Sequence, residues 1–267
     1  MTDKKAIELS KVQQLGKGNA IDKVCAILSL LAGQSHLRLA EITRGTGMNR
    51  VTALRILDTL VANGFIVRTG QPPRYSFGPE VVAMAASTSY LGNLRDIARP
   101  SLVRLAQLSG DVAVLSIRSG LESICVDRVE GHYPINVSYL QVGTRRPLGV
   151  SASSMALLAW LPEDEREALI EISSLHLDAF PRINREVLRQ HVEEANRQGY
   201  VRMLNVVIDK LGAMAVPIYG PQGDVVAAIS VVGLSERILE HETELAQALK
   251  HEQAAISRRL TSKRSQA

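Results

Sequence analysis

The sequence predicts an α+β protein in two parts: an N-terminal winged helix-turn-helix, joined by a helical connector to a domain of strands with segregated helices. Three observations predict it. Between Leu37 and Gly78, two short helical patterns flank a glycine turn and lead into a hairpin pattern. From Asp111 the apolar spacing changes from helical to strand-like. The charge is also divided: through Gly78 there are eleven Lys/Arg against five Asp/Glu, whereas the remainder carries twenty against twenty-two. Positive charge confined to the first part suits contact with phosphates, which releases bound counterions.

Residues 1–18 read as a flexible basic arm ending in Gly16-Lys17-Gly18, either touching phosphate or simply unstructured. Ala20–Ala32 follows as a helix with Ile21, Val24, Cys25, Leu28 and Leu31 on one face, expected to pack beneath the reading helices and partly against a second subunit. Leu39–Arg44 is a short helix with Leu39 and Ile42 at i, i+3, and Gly45-Thr46-Gly47 is expected to break it. Asn49 is the expected N-cap of Arg50–Ala62. In that helix Ala53, Ile56, Leu57 and Leu60 form one apolar stripe, and Asn63-Gly64 ends it.

At roughly 100° per residue, Val51, Arg55 and Asp58 lie opposite the stripe, flanked by Arg50 and Thr52. Two arginines can make bidentate bonds to guanine, Thr52 can bond phosphate or base, and Val51 or Leu54 can touch a thymine methyl. The candidate DNA contacts are therefore Asn49, Arg50, Val51, Thr52, Leu54 and Arg55. Arg68 and Arg74 join them from a wing of Phe65–Arg68 and Arg74–Phe77, linked by Thr69–Pro73. A small helical domain with a solvated basic face is the competing reading.

Gly78-Pro79 opens a helix to about Ser89, the core of a connector over 79–92. Arg95–Leu108 is a further helix that Pro100 should kink or break. Strands are expected at Val112–Arg118, Glu122–Arg128, Ile135–Leu140, Tyr200–Val206, Gly212–Tyr219 and Val225–Val232. Helices are expected at Ser153–Trp160, Glu163–Ser173 and Asn184–Gln198, and a long one from Ser235 to about Leu260. The second domain thus spans 93–260, with the winged domain at 19–78 and a basic tail at 261–267.

Composition excludes several classes. An apolar fraction of 46% over 267 residues supports real cores. No apolar run reaches membrane-spanning length and the start is polar, so a cytoplasmic protein without membrane contact is expected. Cys25 and Cys125 have no partners at disulfide or metal spacing and read as buried thiols. The six histidines show no ligand spacing, and there is no phosphate loop, so neither metal nor cofactor is expected. A serine hydrolase using Ser151, Ser153 or Ser154 with His132 and Asp127 is a rival, but Gly149–Ser153 lacks the closing glycine of a nucleophile elbow. The other rival is a DNA-binding protein whose second domain is inert and only oligomerises.

The ordered pieces Leu-Ala-Glu-Ile at 39–42, Thr-Gly-Met at 46–48, Arg50, Thr52-Ala53, Arg55-Ile56-Leu57, Thr59-Leu60, Gly64-Phe65 and Arg74-Tyr75 resemble the IclR (isocitrate lyase regulator) family of bacterial transcription factors. The run Gly143–Ser153, Gly199-Tyr200, Ala215-Val-Pro-Ile and Ala227-Ala-Ile-Ser extend the resemblance over nearly the whole chain. Arg38 departs from it, standing where the family usually caps its first helix with Ser or Thr. The resemblance implies a ligand-responsive regulator of a catabolic operon, a GAF-like effector domain, operator DNA as partner, dimers or dimers of dimers, and RNA polymerase as a candidate partner. It also implies no catalytic residues.

By the same resemblance the effector site lies at Ser151, Ala152, Ser153 and Ser154, facing Met203, Ala213, Met214, Ser230 and Val232. The small residues before the helix at 153–160 could present N–H and hydroxyl donors to a carboxylate, or the serines could be ordinary caps. Family members that take very small oxoacids tend to carry polar groups where this chain has Ala213, Val232 and Met203, while Ser230 is kept. Such a pocket suits an acid with an apolar body, for example an aromatic one.

Overall fold

The computed structural model describes residues 12–32, 36–87, 89–134, 140–174, 177 and 180–264. The chain packs as two units, 1–92 and 93–267. Among the described residues no helix is long and apolar enough to cross a membrane.

In the first unit, α1 (Ala20–Ala32), α2 (Leu39–Thr46) and α3 (Arg50–Ala62) pack on a sheet of β1 (Leu37–Arg38), β3 (Arg74–Phe77) and β2 (Ile66–Thr69). Their shared core is Ala26, Ile27, Leu30, Ile42, Ala53, Leu57, Leu60, Ile66 and Tyr75. The buried face of α1 is rotated from the one predicted: Leu31 is buried and Val24 and Leu28 pack against the core as expected, Ala26, Ile27 and Leu30 join them, and Ile21 and Cys25 are exposed. The flexible arm is also shorter than expected, since residues 12–16 are helical and Val12 joins the core; residues 1–11 of it lie outside the described residues.

The two glycines of the turn do different jobs. α2 continues through Gly45, where a Cβ would come within 2.7 Å of a Leu30 methyl, so that glycine allows the two helices to approach closely. Gly47 ends the helix with φ 70°, its N–H donating to the Thr43 carbonyl. Arg38 offers α2 no side-chain cap, but the Glu41 carboxylate accepts from the Arg38 N–H at 2.7 Å, which is half of a capping box.

α4 (Pro79–Ser87) is followed by α5 (Ser89–Ser109), a helix assigned straight through Pro100. Pro100 and Asp96, whose carbonyl loses its helical donor to the proline, are exposed, so water can serve that carbonyl. Leu94, Ile97, Ala98, Leu102 and Leu105 meanwhile hold the helix to the second core.

The second unit is built on a wholly antiparallel sheet in the order β6 (Arg145–Pro147), β5 (Glu122–Val129), β4 (Val112–Ser119), β9 (Val225–Leu234), β8 (Leu211–Tyr219), β7 (Val201–Leu204). Of the strand expected at 135–140, residues 135–139 lie outside the described residues; among the described residues the sheet ends at Arg145–Pro147, a segment the sequence suggests as a loop. One face, with Leu115, Met214, Val216, Ile229 and Val231, packs on α5, α9 (Ser235–Glu240) and α10 (Glu242–Arg264). The other carries α6 (Ala152–Ala159), backed by α7 (Glu163–Ser174) and α8 (Arg185–Gln198). The single closing helix expected from Ser235 is divided at His241, and it runs to Arg264 into the expected basic tail, of which 265–267 lie outside the described residues.

Glu252 of α10 is buried and accepts two hydrogen bonds from Arg104 of α5, at 2.8 and 2.6 Å. Burial opposes its ionisation, but the hydrogen bonds from Arg104 and Ser101, together with the Arg104 charge, hold the carboxyl below its ordinary range. A depressed carboxyl contributes stability above its unfolded pKa, and that stability is lost as pH falls through the folded value. Melting curves from about pH 7 to about pH 3 should therefore show a lower neutral-pH stability and a shallower acid loss for Glu252→Gln than for the unaltered chain.

Candidate functional site

In α3 the sequence builds an exposed polar face opposite a buried apolar stripe. Asn49 caps the helix, its Oδ1 accepting from the Thr52 N–H at 2.8 Å, so Thr52 is held at the helix start. Ala53, Leu57 and Leu60 are buried, and Arg50, Arg55 and Asp58 are exposed, as their spacing requires. Val51 is 77% exposed on the same side of the helix. Leu54 and Thr52 are half-buried beside this face.

The two wing arginines differ. Arg68 lies 3.8 Å from Asp58, with both side chains more than half exposed, a weak solvent-facing pair. Arg74 donates from Nη1 to the His36 carbonyl at 3.2 Å, tying the wing to the residue before β1.

The second unit contains a cavity that opens to solvent. It lies between the N-terminus of α6 and the sheet face that carries that helix. Of the residues expected at an effector site, Ser151, Ala152, Ser153, Met203, Ala213 and Val232 line it. Three do not.

Met214 is fully buried on the opposite face among the α5 and α10 side chains, because successive strand residues alternate and Ala213 already faces the cavity. Ser154 is fully buried and spent on capping: its Oγ accepts from the Ser151 N–H at 2.9 Å and donates to the Ser151 carbonyl at 3.0 Å. Ser230 is fully buried with its hydroxyl 2.8 Å from that of Ser153, which pins α6 to β9. Of the α6 serines, then, Ser154 is a structural cap, while Ser151 both caps the Ser154 N–H and borders the cavity. The amides of Ala152 and Ser153, at the first two helical positions, have no intrahelical acceptor.

Sequence reasoning missed other lining residues, among them Ser116, Ser123, Thr144 and Arg146, and the aliphatic wall of Val206, Val207, Ile208 and Leu211. Tandem arginines in an apparent loop look like surface charge; only the short strand β6, pairing Arg146 with Ser123, turns one of them inward.

The hydrolase constellation is not assembled. Asp127 is engaged by Arg99 at 2.6 Å and Arg95 at 3.6 Å, His132 packs beside Gly110, and Ser153 has Ser230 as its partner. Among the described residues no group of three or more His, Cys, Asp or Glu side chains could hold a metal ion.

Comparison with known proteins agrees with both halves of this picture. Residues 20–70 match the IclR helix-turn-helix domain, and residues 88–258 match the bacterial transcriptional regulator IclR C-terminal domain. The chain is 27% identical over 246 residues to the HTH-type transcriptional regulator KipR of Bacillus subtilis, covering 91% of this chain and 98% of that protein. It is 25% identical over 244 residues to the HTH-type transcriptional regulator XynR of Escherichia coli, covering 90% and 96%. Among solved structures, an IclR homologue from Microbacterium hydrocarbonoxydans complexed with 4-hydroxybenzoate superposes with a TM-score of 0.76 at 24% identity, covering 91% of this chain and all of that one. With a capped helix of the helix-turn-helix and a cavity-bearing α+β domain both inside the matched segments, this chain belongs to the IclR family of bacterial transcriptional regulators and is a DNA-binding regulator, not an enzyme.

Proposed function

We propose that this regulator senses a small organic acid with an apolar body, bound in the cavity beside α6, and that occupancy changes its affinity for the operator of a catabolic operon. The observation that carries the reading is the lining: hydroxyls of Ser116, Ser123, Thr144 and Ser151 on one side, and Val206, Val207, Ile208, Leu211 and Met203 on the other. Such a surface suits a ligand polar at one end and apolar along its body. The 4-hydroxybenzoate held by the Microbacterium protein is a ligand of this shape.

A very small oxoacid would occupy the polar end and leave the aliphatic side of Met203, Ala213 and Val232 uncovered, whereas an aromatic acid would cover it. Calorimetry against a panel of 4-hydroxybenzoate, benzoate, pyruvate and glyoxylate tests this. Tighter binding of an aromatic acid is expected; tight binding of glyoxylate with none of any aromatic acid would falsify it.

On the DNA side, Arg50 and Arg55 are the base-reading residues of this proposal, with Thr52 and Asn49 at the helix start and Val51 or Leu54 against a thymine methyl. Arg68 and Arg74 are its phosphate contacts on the wing. The functional molecule is a homodimer, capable of pairing further into a tetramer. In the first unit, Ile21 of α1 and Val82 and Met84 of α4 are 74%, 69% and 56% exposed, apolar side chains that a second copy would cover in this reading. Two reading helices on one dimer would meet half-sites one or more DNA turns apart. Light scattering at micromolar concentration should give at least twice the 29.1 kDa of one chain. A monomer that retains full operator affinity would refute the dimer.

A further inference from the structure

The polarity of the cavity is graded across the sheet. In spatial order its floor runs from Arg146 on β6 to Ser123 on β5, Ser116 on β4, Val232 on β9, Ala213 on β8 and Met203 on β7. Strand register puts these residues on one face: Arg146 lies opposite Ser123, Ser116 opposite Cys125, Val232 opposite Ala213, and Ala213 opposite Met203. A cation and hydroxyls therefore stand at one end of the floor and aliphatic groups at the other.

Arg146 is the one charged residue among the described residues that line the cavity, and it is only 4% exposed. Its neighbour Arg145 lies on the other side of the strand, where Nη1 is 3.2 Å from Glu122 Oε2. The pair is thus split by the alternation of β6, with Arg145 beside Glu122 and Arg146 among the residues that line the cavity. A guanidinium keeps its charge at physiological pH, and its planar fork matches a carboxylate.

We propose that Arg146 anchors the carboxylate of the effector and so fixes its direction, acid group at the β6 end and apolar body toward Met203. The ligand class is then a monocarboxylate carried on a ring or an aliphatic chain, and the charge of its acid group decides recognition. This rests on the reading of the cavity as the effector site. It differs from placing the acid only at the start of α6, where helix amides and Ser151 would act without a cation.

The test pairs each acid with its neutral amide: 4-hydroxybenzoate with 4-hydroxybenzamide, and hexanoate with hexanamide, by calorimetry on the full chain. In the unaltered protein an acid should bind roughly 10- to 100-fold more tightly than its amide, the range expected of a hydrogen bond to a charged group. Arg146→Gln should erase that preference by weakening the acid to the level of the amide, and Arg146→Lys should keep part of it, since the charge remains but the fork does not. Far-UV circular dichroism and melting of each variant check the fold, and the acid-against-amide comparison in the unaltered chain stands even if a variant unfolds. Equal binding of acid and amide by the unaltered protein, or undiminished acid binding by folded Arg146→Gln, overturns the role of Arg146 while leaving an effector in the cavity. Failure of every acid and amide to bind overturns the effector reading and the anchor with it.

Discussion

Truncating Leu57 to alanine should destabilise the first unit by about 2–5 kcal/mol, as removal of a fully buried leucine does where the site cannot collapse. Leu57 has no exposed surface and sits where α3 meets the core formed with Ile27, Ile42 and Ile66. A domain of this size has only about 5–15 kcal/mol in total, so the loss removes much of its margin. Operator binding should fall sharply, whereas an acid that binds the cavity of the intact chain should still bind, because Leu57 belongs to the first unit and the cavity to the second. Thermal melting with calorimetry on the same preparation reads both. Parallel loss of acid binding would show that the two units do not fold independently.

Arg55→Ala should cost about 1–3 kcal/mol on operator DNA and much less on random-sequence DNA. Arg55 is exposed on the helix face opposite Ala53, Leu57 and Leu60, and its removal leaves that core untouched. A phosphate contact would instead weaken both DNAs alike and reduce the salt dependence. Gel-shift titrations on the two duplexes at several salt concentrations separate these roles, and equal losses on both would leave Arg55 with phosphate contact alone.

The reading helix was legible because its signals are local. An N-cap asparagine, a 3.6-residue stripe and a terminal Asn-Gly all lie within sixteen residues, and the structure keeps each where the spacing put it. The cavity was half legible. Ser151–Ser153 stand beside a helix start that composition marks, but Met214 was assigned to the same surface as its neighbour Ala213, against strand alternation. Ser154 and Ser230 were chosen as polar groups near the site, and each hydroxyl is taken by the protein itself.

Arg146 escaped for a different reason. A strand of three residues is too short to show its period, so the inward turn of one arginine of the pair depends on pairing with distant Ser123. The unbroken α5 and the divided closing helix are tertiary outcomes of the same kind. Pro100 is tolerated because it faces water, whereas the break at His241 is marked by neither proline nor glycine.

The central claim is that occupancy of the cavity changes DNA affinity, and ligand binding can do so only if the DNA-competent and incompetent states differ in affinity for the acid. The direct measurement is fluorescence anisotropy of an operator duplex, selected by the protein from a random-sequence pool, titrated with and without saturating acid from the panel above. The account predicts that the midpoint moves by roughly 5-fold or more with the acid and stays in place with its neutral amide at the same concentration. An acid that binds by calorimetry yet leaves the operator midpoint unmoved would contradict it.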